Sequence, residues 1–133
     1  MSSLCYCTLL RKATRRVAAS YDKALKPIGI NIAQFSLLRT VQRRQAINLT
    51  DLGRLTELDR STIGRNVRVL ERLDLVTSER GADDQREAVV TLSEHGKRVL
   101  AEAEQFWSDC QRRVEARLGA EGLDALHNVL RAI

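Results

Sequence analysis

The chain has 133 residues, of which 44% are hydrophobic and 29% charged, and a formal net charge of +5. That length suits one domain with a proper core and leaves no room for a catalytic domain beside a binding domain. A single proline and two phenylalanines fit helices better than a β-sandwich. The basic balance favours a polyanionic partner, because Lys and Arg displace condensed counterions when they meet phosphates.

The opening residues MSSLCYCTLL place no basic residue ahead of an apolar stretch; Arg11, Lys12, Arg15 and Arg16 all come later. A signal peptide has the opposite order, and no apolar run approaches the roughly 20 residues of a membrane span, so a cytoplasmic protein without membrane contact is expected. Three cysteines, Cys5, Cys7 and Cys110, contain no Cys-x-x-Cys pair. Neither a disulfide scaffold nor a zinc ribbon is suggested.

From Cys7 to Ile28 the residues Leu10, Val17, Tyr21, Leu25 and Ile28 recur at helical spacing. This predicts a long amphipathic helix ending near Lys26, where Pro27 restrains the preceding residue and Gly29 supplies a turn. Asn31, with Gln34 three residues on, reads as the cap of a second helix through Phe35, Leu38 and Val41. A third spans Asn48 to Glu57, carrying Leu49, Leu52 and Leu55 on one side.

Asp59 is a good cap for a fourth helix, Arg60 to Leu73, whose side chains separate cleanly by period. At about 100° per residue, Ile63, Val67 and Leu70 share one sector while Ser61, Arg65, Arg68 and Arg72 share the opposite one. The stretches 75–78 and 88–92 are β-rich and flank the polar loop 81–86, so they read as a hairpin. Ser93 then caps a long helix that Gly119 closes, before a last short helix with Leu123, Leu126 and Leu130.

Two short helices joined by a tight turn, the second with a basic outer face, followed at once by a hairpin, have the order of a winged helix-turn-helix. A helix fits the major groove, where residues near its N-terminus reach base edges while its apolar back rests on the preceding helix. The hairpin loop is then placed to reach the backbone or the minor groove. An isolated charge stripe is by itself explained as a solvated helix face; the hairpin beside it favours DNA.

The segments LTDLGRLTELDRSTIGRNVRVLERLDLV (49–76) and DQREAVVTLSEHG (84–96) resemble the MarR family. The second matches the family's wing signature through Asp84, Arg86, Leu92, Ser93 and Gly96. The resemblance implies a mainly α fold with a small β-hairpin wing, about six helices, and a two-fold dimer. Residues 1–30 and 94–133 would form the dimerisation lobe and residues 31–93 the winged helix-turn-helix lobe. It implies that Ser61, Thr62 and Arg65 meet bases or nearby phosphates, with Asn66 and Arg68 extending the set. Arg86 would be the minor-groove arginine, steadied by Asp84.

Leu4-Cys5-Tyr6-Cys7 is similar to the start of the family's organic-peroxide-sensing OhrR branch, in which a cysteine of the first helix is oxidised and DNA is released. Cys5 falls at that position and Tyr21 at one of the two tyrosines that hold it; the other tyrosine is Ile32 here. Residues two apart on a helix point about 200° apart, so Cys5 and Cys7 cannot pair within an intact helix. Cys7, at the edge of the apolar stripe, and Cys110, within one, read as small core hydrophobes. Cys5 and Cys7 are both candidates for the redox role, and for each a structural role stands beside it.

His95 and His127 have no Cys, His or Asp neighbours at ligand spacing, so no metal and no cofactor are expected. Tyr21, Phe35 and Trp107 are candidates for lining an effector pocket between the lobes, or are plain core. The expected function is a transcriptional regulator, by family habit a repressor, that binds a pseudo-palindromic operator in double-stranded DNA as a homodimer. A small-molecule effector or cysteine oxidation would release it. The alternatives are a winged-helix adapter that binds only proteins, and a thiol-based enzyme. The latter lacks a nucleophile with a base at recognisable spacing.

Overall fold

A computed structural model of the chain describes residues 4–80 and 87–133. Helix α1 (Tyr6–Leu25) buries only Tyr21 and Leu25 and runs into a 3-10 turn, Lys26–Ile28, closed by Gly29 at φ 82°. Pro27 and Gly29 stop the helix where the sequence indicates. Asn31 and Gln34 form the expected reciprocal cap of α2 (Ile32–Arg44): each side chain accepts the other's backbone N–H, at 2.8 and 3.0 Å. Asp22 accepts the Ile32 N–H at 2.8 Å and so fastens α1 to the start of α2.

The strand β1 (Ile47–Asn48) has no counterpart in the sequence reading. It pairs antiparallel with β3 (Ala88–Leu92) through Ile47 opposite Val90 and Asn48 opposite Val89. Two residues carry no period of their own, and only the partner strand defines them. Asn48 also caps α3 (Leu49–Thr56), accepting the Asp51 N–H at 2.7 Å. Of the apolar residues expected on one side of α3, Leu52 is fully buried whereas Leu55 is exposed.

Glu57, in the left-handed conformation, ends α3, and Asp59 caps α4 (Arg60–Arg72) by accepting the Thr62 N–H at 2.8 Å. Ile63, Val67 and Leu70 are buried, as their common sector predicts. Asp74, at φ 59°, turns the chain into β2 (Val76–Arg80), which pairs with β3 from Val76 opposite Leu92 to Arg80 opposite Ala88. The sheet order is β1-β3-β2. The hairpin is present, and its first strand runs two residues beyond the predicted 75–78.

Helix α5 (Glu94–Ala132) is bent at Gly119, whose φ of 68° and ψ of 175° are not helical. The predicted closure at Gly119 is therefore a bend, and the expected sixth helix is the segment beyond it. Ser93 caps α5 by accepting the Gly96 N–H at 2.9 Å. The same hydroxyl donates to the Asp74 carbonyl at 2.6 Å, and the Ser93 N–H donates to the Leu75 carbonyl at 3.0 Å. A Cβ on Gly96 would stand 1.9 Å from the Leu75 carbonyl oxygen. The start of α5 is thus pressed against the chain leaving α4.

One core unites these elements, with Leu25, Phe35, Leu52, Ile63, Val90 and Leu100 at its centre. Among the described residues it holds no buried polar side chain. The apolar stripes of α1 and of α5 beyond Gly119 are only partly used: Leu10, Val17, Leu126, Leu130 and Ile133 all remain exposed.

Candidate nucleic-acid interface

Helix α4 turns one face to the core and the other to solvent. Arg60, Ser61, Arg65, Arg68 and Arg72 are exposed, and Thr62 and Asn66 are half-buried on the flank. Arg65, Arg68 and Arg72 make no ion pair among the described residues. The positive potential of this face is therefore left for a partner.

At the N-terminal end the side chains order one another. Ser61 donates to Asp59 at 3.0 Å, and Arg65 Nη2 donates to Thr62 Oγ1 at 3.4 Å. The Thr62 backbone N–H, then the Thr62 and Ser61 hydroxyls, hold the Asp59 carboxyl below the usual carboxylate range, and Arg65 adds to the effect. Arg60 Nη1 donates to Thr50 Oγ1 at 3.2 Å, joining the first turn of α4 to the first turn of α3. Sequence reasoning missed this pair, because a contact ten residues apart across a turn has no periodic signal.

Of the expected contact residues, Ser61, Thr62, Arg65, Asn66 and Arg68 stand together on α4. Asp84 and Arg86 lie outside the described residues. Strands β2 and β3 place the two ends of their loop side by side, beyond Arg80 and Ala88.

The MarR family model matches residues 30–88, which take in α2, α3, α4 and β2. The Mycobacterium tuberculosis transcriptional regulator MosR, in a complex with DNA, superposes with a TM-score of 0.86 at 30% identity, covering 97% of this chain and 96% of that one. The chain belongs to the MarR family. Its fold is also that of Escherichia coli MarR, seen as a mutant with operator DNA, with a TM-score of 0.84, 20% identity and coverage of 94% and 90%. The transcriptional regulator SarZ of Staphylococcus haemolyticus is 29% identical over 90 residues, 68% of this chain and 61% of its own length. The match to SarZ of Staphylococcus aureus is 25% over 93 residues, 70% of this chain and 63% of the relative. The chain thus spans about six tenths of these relatives' length.

In this MarR-family chain the cysteines divide. Cys110 is buried as expected, but Cys7, read as a small hydrophobe at a stripe edge, is exposed together with Cys5. The stripe edge at Cys7 is left exposed in the protomer, so sequence periodicity overstated its burial. Cys5 stands just before α1, and the Thr8 hydroxyl, then the Thr8 and Cys7 backbone N–H groups, lower its thiol pKa from the ordinary value.

The three aromatic candidates for an effector pocket do not share one cavity wall. Phe35 is buried and stacks on Trp107 with ring centroids 5.7 Å apart, and Arg39 lies 4.4 Å from the Trp107 centroid. Tyr21 instead lines a groove of about 560 Å³ between α1 and α5, whose walls include Leu10, Val17, Leu118, Leu126 and Val129. Its hydroxyl donates to Gln111, and burial, then the neighbouring Cys110 and Glu115, push its pKa up. No group of His, Cys, Asp and Glu among the described residues has the makings of a metal site, and no helix there is long and apolar enough to cross a membrane.

Proposed function

We propose that this chain is a sequence-specific DNA-binding transcriptional regulator, acting as a repressor in the cytoplasm and without catalytic activity. It binds a pseudo-palindromic operator in double-stranded DNA as a homodimer. The observation that carries this reading is the outer face of α4, where Arg65, Arg68 and Arg72 meet no ion-pair partner among the described residues. That face lies between a supporting helix on one side and a hairpin on the other, as a recognition helix requires. MosR and E. coli MarR, both solved with DNA, share the fold and favour the same reading.

Residues 31–93 form the DNA-binding lobe and residues 1–30 with 94–133 the dimerisation lobe. The exposed stripes of α1 and α5 support the dimer, because apolar patches of that kind are stable when buried on a second copy. On α4, Ser61, Thr62 and Arg65 read bases or adjacent phosphates, with Asn66 and Arg68 behind them. Arg86, steadied by Asp84, enters the minor groove. Release comes from a small-molecule effector near Tyr21 or from oxidation at Cys5, whose exposure and lowered pKa favour the thiolate.

The experiment is selection of bound fragments from the source genome, followed by footprinting at fixed salt. A protected pair of half-sites about 10 base pairs apart, centre to centre, is the expected outcome. Absence of any DNA binding at low salt would overturn the reading.

A further inference from the structure

We infer that the concavity between the first turns of α3 and α4 is a phosphodiester cradle, with Arg60 as its cation and Thr50 as its neutral donor. It rests on the DNA-binding reading above and adds a contact that lies off the base-reading face.

The concavity holds about 290 Å³ and is walled by Leu49, Thr50, Gly53, Arg54, Leu58 and Arg60. Its polar groups come from Thr50, Arg54 and Arg60, and its floor is apolar or lacks a side chain. Arg60 reaches across the helix-turn-helix to give one N–H to Thr50 Oγ1 at 3.2 Å. The guanidinium is thereby oriented before any ligand arrives, with its remaining N–H groups to offer. The Thr50 hydroxyl has accepted a bond and keeps its own proton to donate. Thr50 also stands in the first turn of α3, the positive end of that helix.

Arg54 plays a different part. It is bound to Asp51 at 2.5 Å on the same helix and lies in the last turn of α3, where a cation is favoured by the helix dipole. Its charge is already answered within the protein. Arg60 is the reverse case: it occupies the first turn of α4, which has no acidic residue and where a cation opposes the dipole. Its described hydrogen bond is to a neutral hydroxyl. A cation held against the helix dipole and without an ion-pair partner among the described residues is a local cost that a bound anion offsets.

The anion is a phosphate of the duplex because the cradle flanks the end of α4 that carries Ser61, Thr62 and Arg65. Asp59 caps α4 nearby, but its carboxylate is turned onto the Thr62 N–H and the Ser61 hydroxyl. With α4 in the major groove, the Thr50 side of its first turn meets the groove wall, which is backbone. Phosphate contacts of this kind set register and orientation without reading sequence.

The test uses the full chain and two duplexes, one selected from a random library by binding to the wild type and one scrambled to the same composition. Affinity is measured over a range of salt. Arg60→Ala should weaken both duplexes by the same factor and reduce the slope of log K against log salt by about 1.8 for the bound dimer, two phosphates at about 0.9 each. Arg60→Lys, which keeps the charge, should keep the slope, and Thr50→Val should weaken both duplexes with little change in slope. Thermal melting checks that each variant is folded.

An unchanged slope in folded Arg60→Ala, or a loss confined to the selected duplex, overturns the cradle while the DNA-binding reading stands. Wild-type protein that selects no duplex overturns the reading itself. Inorganic phosphate at matched ionic strength should not compete with the duplex. Competition that disappears in Arg60→Ala would assign the cradle to free phosphate and overturn the phosphodiester.

Discussion

Gly96 and Leu75 touch through their main chains: a Cβ at Gly96 would lie 1.9 Å from the Leu75 carbonyl oxygen. The glycine of the wing signature is explained by this contact, which lets the first turn of α5 pack on the chain emerging from α4. Backbone cannot yield as a flexible side chain does. Gly96→Ala should therefore destabilise the fold by about 3 kcal/mol or more, at the upper end of overpacking effects. Gly64→Ala is the matched control. It sits within α4, its nearest neighbour to an added Cβ is the Arg68 guanidinium at 4.0 Å, and it should stabilise by about 0.5–1 kcal/mol. Urea unfolding of both variants decides the matter; a Gly96→Ala protein as stable as wild type would refute the contact.

Arg65 and Arg86 should fail in different ways. Arg65→Ala should cost roughly 1–3 kcal/mol on the operator and flatten preference at one position in each half-site. Arg86→Ala should weaken binding chiefly where the flanking sequence is A·T-rich, since a narrow minor groove deepens the potential a cation feels. Competition among altered operators at constant salt separates them. If both variants bind like wild type, the assignment of recognition helix and wing is wrong.

Dimerisation should depend on the groove between α1 and α5. Leu126, which is 55% exposed in the protomer, lines that groove. Leu126→Glu would place a charge where apolar surface meets the second copy, and should shift sedimentation from dimer to monomer. Affinity for a two-half-site operator should fall with it. A monomeric wild type at micromolar concentration would remove the basis for the palindromic operator.

Cys5 should react as a partly ionised thiol. The Thr8 hydroxyl and the nearby N–H groups favour its thiolate, so the thiolate appears at lower pH than in free cysteine, whose pKa is about 8.5. Iodoacetamide labelling followed by mass spectrometry should give a lower midpoint in the folded protein than in the urea-unfolded chain. Thr8→Val should raise the midpoint. If Cys5 is also the switch, mild organic peroxide weakens operator binding, thiol reductant restores it, and Cys5→Ser abolishes the response. Peroxide-insensitive binding in wild type would leave Cys5 structural.

The sequence disclosed those features whose causes are local. The Asn31–Gln34 cap, the Asp59 and Ser93 caps and the split faces of α4 each follow from residues within a turn or two of one another. What it hid depends on distant partners. Strand β1 exists only because Val89 and Val90 lie opposite it, and the Arg60–Thr50 contact spans the turn between α3 and α4. Cys7 and Leu55 follow the apolar period yet stand exposed, because periodicity shows which face is apolar and not whether anything covers it. Within the candidate site, the exposed polar and basic cluster on α4 was legible and its flank at Arg60 was not.

The bend at Gly119 turns α5 into a lever. Between Ser93 and Gly119 the helix rises 1.5 Å per residue and spans on the order of 35 Å. Its near end is clamped to α4 through Ser93, Asp74 and Leu75, whereas its far end has a glycine whose backbone no bulky side chain restrains. A tilt of about 10° at the far end displaces the clamped end by about 6 Å. In a two-fold pair the displacements add, which is a large fraction of the roughly 34 Å between successive major-groove faces. On a duplex bound by such a pair, the spacing between half-sites would follow an angle located far from any base, at a residue with no side chain to protect it.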